Sequence, residues 1–238
     1  MKRLAVLDWG IGGAGFWKGW KARFPKAPLI YYSDAGYTPY GKVDASELVE
    51  RLASRMEALH DMGSSHAMIA CNAASTVIPE LRKEVTGIQI EGVIDPTLRW
   101  MKSEFDLSKS LAVVGGQRTI DSGLYKISNQ VRTIIGQPLS ALVEKGTLEG
   151  DEVEETIHAL LGDVVGDLIL ACTHYVALSP VIERVVPAVK CHDPIPFLIE
   201  ERAHHWGDFS TEGEDQFATS GDLLQMKATA SRAFGVSW

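Results

Sequence analysis

The sequence predicts an α/β protein of mainly parallel sheets flanked by helices, divided into two related halves. Three observations carry that expectation. Short apolar runs alternate with stretches whose apolar residues recur at helical spacing, the pattern of strands joined by right-handed helical crossovers. The run Leu111-Ala112-Val113-Val114-Gly115 echoes Leu4-Ala5-Val6-Leu7-Asp8 at nearly the interval that separates Cys71 from Cys172. Finally, Ile69-Ala70-Cys71-Asn72 and Leu170-Ala171-Cys172-Thr173 both end an apolar run in Ala-Cys, followed by a small polar residue. Each thiol therefore falls where a buried strand gives way to a loop, the place where parallel sheets carry their chemistry.

A chain of 238 residues fits two small domains, expected here as residues 1–95 with 206–238 and residues 96–205. Hydrophobic content of 45% beside 23% charged residues is ordinary globular composition and permits a core. A net charge of -8 speaks against a general nucleic-acid binder, and an anionic substrate would need a locally positive pocket. The apolar run near the N-terminus is interrupted almost at once, and no stretch is apolar for long enough to span a bilayer, so the expected location is cytoplasmic, away from any membrane. Three cysteines make no disulfide framework and read as thiols.

Residues 4–7 read as a buried strand, ended by the turn Asp8-Trp9-Gly10-Ile11-Gly12-Gly13 and followed by a helix through Phe16, Trp17 and Trp20. The glycines permit close approach of other groups, but the turn lacks the Lys-Ser/Thr ending of a phosphate loop and the spacing of a dinucleotide fingerprint. Residues 29–32 form the second strand, before a turn-rich loop that includes Asp34, Pro39, Tyr40 and Gly41. Asp44 and Glu47 look like a capping box for a helix burying Leu48, Leu52, Met56 and Leu59. Residues 67–70 deliver Cys71, a helix covers 77–84, and 88–94 is a strand. The second half is expected to hold strands at 111–114, 139–143, 168–171 and 188–191, with a helix after Asp151. The tail adds a strand beginning near Phe217 and an amphipathic helix to Phe234.

Two strand-end thiols facing each other across one pocket suit stereoinversion. Taking a proton from one face of a carbon and returning one to the other face needs acid/base groups on both sides. Free cysteine has a pKa of about 8.5, so a thiolate at neutral pH needs a helix N-terminus or a polar neighbour. The helices after Cys71 and Cys172 supply the first, and Asp8 and His174 are the candidate proton relays, one per half.

These residues resemble the aspartate/glutamate racemase superfamily, and within it the glutamate racemases. The resemblance spans nearly the whole chain: residues 8–13, Tyr32-Ser33-Asp34, Pro39-Tyr40-Gly41, residues 70–75, Gly115 with Thr119, Ile120 and Ser122, Leu142-Val143-Glu144, Cys172-Thr173-His174-Tyr175, and Thr219-Ser220-Gly221-Asp222. It implies two pseudo-symmetric α/β domains with the site between them, no cofactor and no metal, and a two-thiol mechanism. By this likeness Cys71 takes the α-proton of D-glutamate and Cys172 that of L-glutamate, assisted by Asp8 and His174, with Glu144 an acid near the histidine. Trp9, Pro39, Tyr40, Gly41, Asn72, Ala73, Ala74, Thr119 and Thr173 match positions lining the substrate. The implied partner is an amino acid, with no nucleic acid and no membrane, in peptidoglycan and cell-wall biogenesis; a homodimer is an open assembly.

Three positions leave the pattern: Trp9 and Ala74 stand where serine and threonine are usual, and Gly116 where another hydroxyl is usual. A site built on hydrogen bonds discriminates poorly once they are removed. The chain therefore admits aspartate or another small amino acid, or a non-catalytic ligand-binding role. Arg118 offers a compensating bidentate partner for a carboxylate. Cys191 reads as structural, and Cys191-His192 with His204-His205 fits no familiar zinc spacing.

Overall fold

The strands sort into two parallel sheets because each is a short apolar run whose following helix carries the chain back before the next strand begins. A computed structural model describes residues 3–206, 209 and 212–238; Met1, Lys2 and the side chain of His205 lie outside the described residues. The first lobe holds β1 (Leu4–Asp8), α1 (Ala14–Arg23), β2 (Leu29–Ser33), α2 (Ala45–Asp61), β3 (His66–Ile69), α3 (Asn72–Ser75), α4 (Ile78–Glu84) and β4 (Gln89–Gly92). After α5 (Ile94–Glu104) the second lobe holds β5 (Leu111–Gly115), α6 (Gln117–Asp121), β6 (Val131–Ile135), α7 (Gln137–Lys145), α8 (Asp151–Leu161), β7 (Gly166–Ala171), α9 (Ser179–Val185) and β8 (Val189–His192). The chain then returns through α10 (Ile195–Trp206) to β9 (Gln216–Thr219), which pairs with β2, and α11 (Leu223–Phe234).

The sheet orders are β4-β3-β1-β2-β9 and β6-β5-β7-β8. Exchanging β1, β2, β3 and β4 for β5, β6, β7 and β8 converts the first four strands of one sheet into the other, with β9 an addition at the edge of the first, so the halves share a topology and the two cysteine-bearing strands, β3 and β7, are equivalent. β1 and β5 are buried at every residue, as the inner strands of parallel sheets covered on both faces must be. The strand order reverses on either side of β1, and Asp8 sits at its C-terminal end, which opens the crevice where such sheets bind ligands.

Several expected elements differ. Residues 139–143 are helical, within α7: Leu139, Leu142 and Val143 are the buried positions, spaced as on one helix face, and Gly146 closes the helix with φ of 75°. The strand expected over 88–94 shortens to β4, because Ile94 begins α5, where Pro96 in the first turn needs no backbone donor. Asp44 starts α2 without a side-chain cap, and the Glu47 carboxylate instead accepts the Tyr37 hydroxyl. Among the described residues no helix is long and apolar enough to cross a membrane.

Candidate active site

Cys71 follows β3 and Cys172 follows β7, and both thiols line one cavity of about 60 Å³ between the lobes. Trp9, Pro39, Tyr40, Gly41, Asn72, Ala73, Thr119, Thr173 and His174 share the lining. Asp8 and Glu144 do not. They stand behind the thiols, Asp8 fully buried at the end of β1 and Glu144 on α7.

On the first-lobe side, Asp8 Oδ1 accepts the Trp9 backbone N–H at 2.7 Å, and Oδ2 accepts the Thr173 hydroxyl from the opposite lobe at 2.9 Å. Burial, the largest influence, raises the Asp8 pKa despite the opposing charge of His174. Cys71 lies within hydrogen-bond reach of Asp8, and burial together with that carboxylate lifts the thiol well above its ordinary value. The backbone N–H of Ala74 points at the sulfur and works the other way. Ala74 therefore contributes its amide: the methyl is fully buried in the first-lobe core, away from the cavity. Because α3 is only four residues long, this single N–H replaces the helix dipole expected there.

The second-lobe side is built differently. His174 Nδ1 lies 3.8 Å from Cys172 Sγ, and Nε2 is hydrogen-bonded to Glu144 Oε1. Burial works against charge on this histidine, but its bonds to Cys172 and Glu144 outweigh burial and lift its pKa well above the ordinary value. An imidazole between two acceptors satisfies both only when both nitrogens carry protons. Glu144 follows the reciprocal logic: burial would raise it, and His174 with the Ile11 N–H holds it below its ordinary value.

The glycine turn after β1 makes this meeting possible. A methyl on Gly10 would overlap the Glu144 carboxylate, and one on Gly12 would overlap Thr173, with His174 Nδ1 only 2.7 Å away. These glycines clear space for side chains that reach across from the opposite lobe.

A segment over residues 37–43 covers the cavity. Trp9 Nε1 donates to Tyr37 O at 2.9 Å, and the half-buried indole packs on the first-lobe core while lining the cavity. Arg118 Nε donates to Tyr40 O at 3.0 Å, and Nη2 reaches Val43 O, so this guanidinium braces the cover from the second lobe through backbone carbonyls. Buried Asp34, a turn residue in the sequence, pins the same segment by accepting Tyr40 Oη at 2.7 Å while paired with Arg51.

Sequence reasoning missed Gln137 and Ser140 of α7, which line the cavity on the side of Gly116, and Tyr125, which reaches Asn72 from the other lobe. Gln137 follows a glycine and precedes a proline with no motif around it, and only the fold brings it near Gly41. Cys191 lies outside the cavity, its thiol pushed up to about 12 by burial. Among the described residues no group of three or more His, Cys, Asp and Glu side chains could hold a metal ion.

Paired thiols from equivalent strands of a duplicated α/β unit, lining one cavity, define a class of two-lobed proteins with a cleft between related halves. The sequence pattern described as Asp/Glu/Hydantoin racemase matches residues 31–201, and the chain belongs to that family. It is 30% identical to the glutamate racemase of Bacillus cereus over 98% of this chain and 93% of that protein. Among solved structures, the glutamate racemase of Thermus thermophilus in complex with β-chloro-D-alanine is 26% identical, with a TM-score of 0.81 covering 97% of this chain and 92% of that one. Glutamate racemase isoform RacE1 of Bacillus anthracis matches the fold with a TM-score of 0.86 at 23% identity, over 99% of this chain and 95% of that one.

Proposed function

We propose that this protein is a cofactor-independent racemase of an acidic amino acid, glutamate first, working in the cytoplasm. The observation that carries the reading is one cavity lined by two thiols from opposite lobes, each with its own proton-handling partner. L-Glutamate gives its α-proton to the Cys172 sulfur, with His174 beside it as imidazolium. The electron pair left on Cα delocalises into the α-carboxylate, and Cys71 delivers its thiol proton to the opposite face. The reverse sequence converts D-glutamate. Arg118 and the protonated His174 supply positive charge around an anionic substrate in an otherwise acidic protein.

A shorter substrate is the second reading, and Trp9 favours it: its indole lines the cavity where the family pattern has serine, which leaves less room beside the thiols. Aspartate asks less of that room than glutamate.

Both enantiomers of glutamate, aspartate and several neutral amino acids, incubated with the protein in deuterated water, decide the matter through α-deuterium uptake and optical rotation. Glutamate is expected to exchange and racemise, and faster turnover of aspartate would select the second reading. Uptake into none of these acids would sink the racemase reading. Cys71→Ser and Cys172→Ser are each expected to lower racemisation by at least about 10²- to 10⁴-fold, the range of a positioned general acid or base. Full racemisation by either variant would remove the two-thiol mechanism.

A further inference from the structure

Asn72 directly follows Cys71, opens α3, and lines the cavity. Its Oδ1 accepts the hydroxyl of Tyr125 at 2.6 Å, and both residues are buried although they come from opposite lobes. We propose that Tyr125 is a positioning residue: by occupying Asn72 Oδ1 it fixes the amide so that Nδ2 faces the cavity and binds the α-carboxylate of the substrate. This rests on the amino-acid racemase reading above.

The argument is one of donors and acceptors. The two ends of an asparagine amide have nearly the same shape and opposite hydrogen-bonding character, so shape alone does not choose between its two flips. A phenol carries one hydrogen, and burial holds the Tyr125 pKa above its ordinary value, so it stays a donor at any physiological pH. That hydrogen is directed at Asn72 Oδ1, with Thr97 the phenol oxygen's other neighbour, and in this bond the amide keeps the flip that turns Oδ1 toward the ring. The other end, with its N–H groups, is left for the cavity. An amino acid offers an acceptor-only carboxylate and a donor-only ammonium, and the pinned amide attracts the first and repels the second.

That choice sets which end of the substrate lies beside Cys71, and so which faces of Cα meet the two sulfurs. It also bears on rate. As the α-proton leaves, negative charge builds on the carboxylate oxygens, and a donor already in place stabilises it.

A double-mutant cycle tests this. Tyr125→Phe keeps the ring and its packing and removes only the hydroxyl. It is expected to lower kcat/KM for glutamate about 10- to 100-fold, the loss of a hydrogen bond to a charged group. In an Asn72→Ala background the same change is expected to matter less than about twofold, since no amide remains to orient. A purely structural tyrosine would cost the same factor in both backgrounds, which overturns the proposal, as does an unaffected Tyr125→Phe. Calorimetric titration of glutamate into the same four proteins separates this proposal from the racemase reading. Binding that follows the cycle without α-exchange keeps Tyr125 in its role and removes the racemase reading, and a parent protein that binds no glutamate removes both.

Discussion

Cys71 and Cys172 end equivalent strands of a repeated topology, yet their surroundings are electrostatic opposites. Around Cys71 the balance favours keeping a proton: the thiol is raised by burial and by Asp8 against the single opposing N–H of Ala74, and Asp8 is itself raised by burial. Around Cys172 the partner is a histidine held in its charged form by Glu144. The repeat reproduces the position of the thiol and leaves its tuning to unrelated neighbours. Asp8 comes from the central strand of its sheet, at the place where the second lobe has Gly115 and Gly116, while His174 comes from the cysteine's own loop. Burial and Asp8 therefore hold a proton on Cys71, the state the proposed mechanism needs before that thiol protonates the carbanion formed from L-glutamate.

The largest effects should come from erasing either helper. Asp8→Asn and His174→Asn are each expected to slow racemisation by about 10²- to 10⁴-fold. Enantiomers are equal in free energy, so kcat/KM must fall by the same factor in both directions, and overall rates cannot tell the lobes apart. The discriminating signal is α-deuterium uptake without inversion. His174→Asn should retain more uptake into D-glutamate, through Cys71, and Asp8→Asn more into L-glutamate, through Cys172. Equal loss from both enantiomers in both variants would break the assignment of one helper to each thiol.

Removing Glu144 should narrow the contrast without abolishing it. Glu144→Gln keeps a group that can hydrogen-bond His174 Nε2 and removes the charge that raises it. The His174 pKa is expected to fall once the close opposite charge that helps to hold it up is gone, moving the alkaline limb of the kcat/KM profile to lower pH. Stability should carry the same signature. The raised His174 stabilises the fold fully below its unfolded pKa of about 6.5, and that contribution is lost as pH rises through the folded value. The lowered Glu144 contributes above its unfolded value of about 4.3 and loses the contribution as pH falls through the folded one. Denaturant unfolding across pH should show the parent's advantage over Glu144→Gln largest between those limits, and an unchanged alkaline limb would break the charge argument.

The same contrast explains what could be read from the sequence. Both cysteine-bearing strands were legible from apolar runs that end in Ala-Cys before a small polar residue, and α2 announced itself through its apolar period although its expected Asp44 cap does not form. β6 escaped because it is an edge strand whose burial alternates irregularly over Val131–Ile135. Residues 139–143 misled because a short apolar run reads equally as strand or helix, and only the spacing of its buried members decides. Of the proposed site residues, those beside strand ends were visible, and Ala74 was misplaced because its contribution is a backbone amide. The paths by which Tyr125 reaches Asn72 and Arg118 reaches the carbonyls of Tyr40 and Val43 are made by lobe packing, and no local pattern encodes them.

The smallest effects should come from Trp9, which bears on the first-lobe side alone. It follows Asp8, lines the cavity, and packs on the same core cluster that Cys71 touches, so its bulk helps to keep water from that thiol. Its N–H separately ties down the covering segment at Tyr37 O. Trp9→Phe removes only the second function: one hydrogen bond of about 1 kcal/mol, hence less than about a tenfold change in the KM for glutamate. Trp9→Ser removes both. It should admit water beside Cys71 and bring the thiol back toward its ordinary value, shifting the pH dependence of Cys71 alkylation to lower pH, a shift Trp9→Phe should not produce. Cavity space regained in the serine variant should also raise turnover of glutamate relative to aspartate. If serine leaves the alkylation profile where tryptophan has it, the contrast between the two thiols rests on Asp8 alone, and the indole is only a latch.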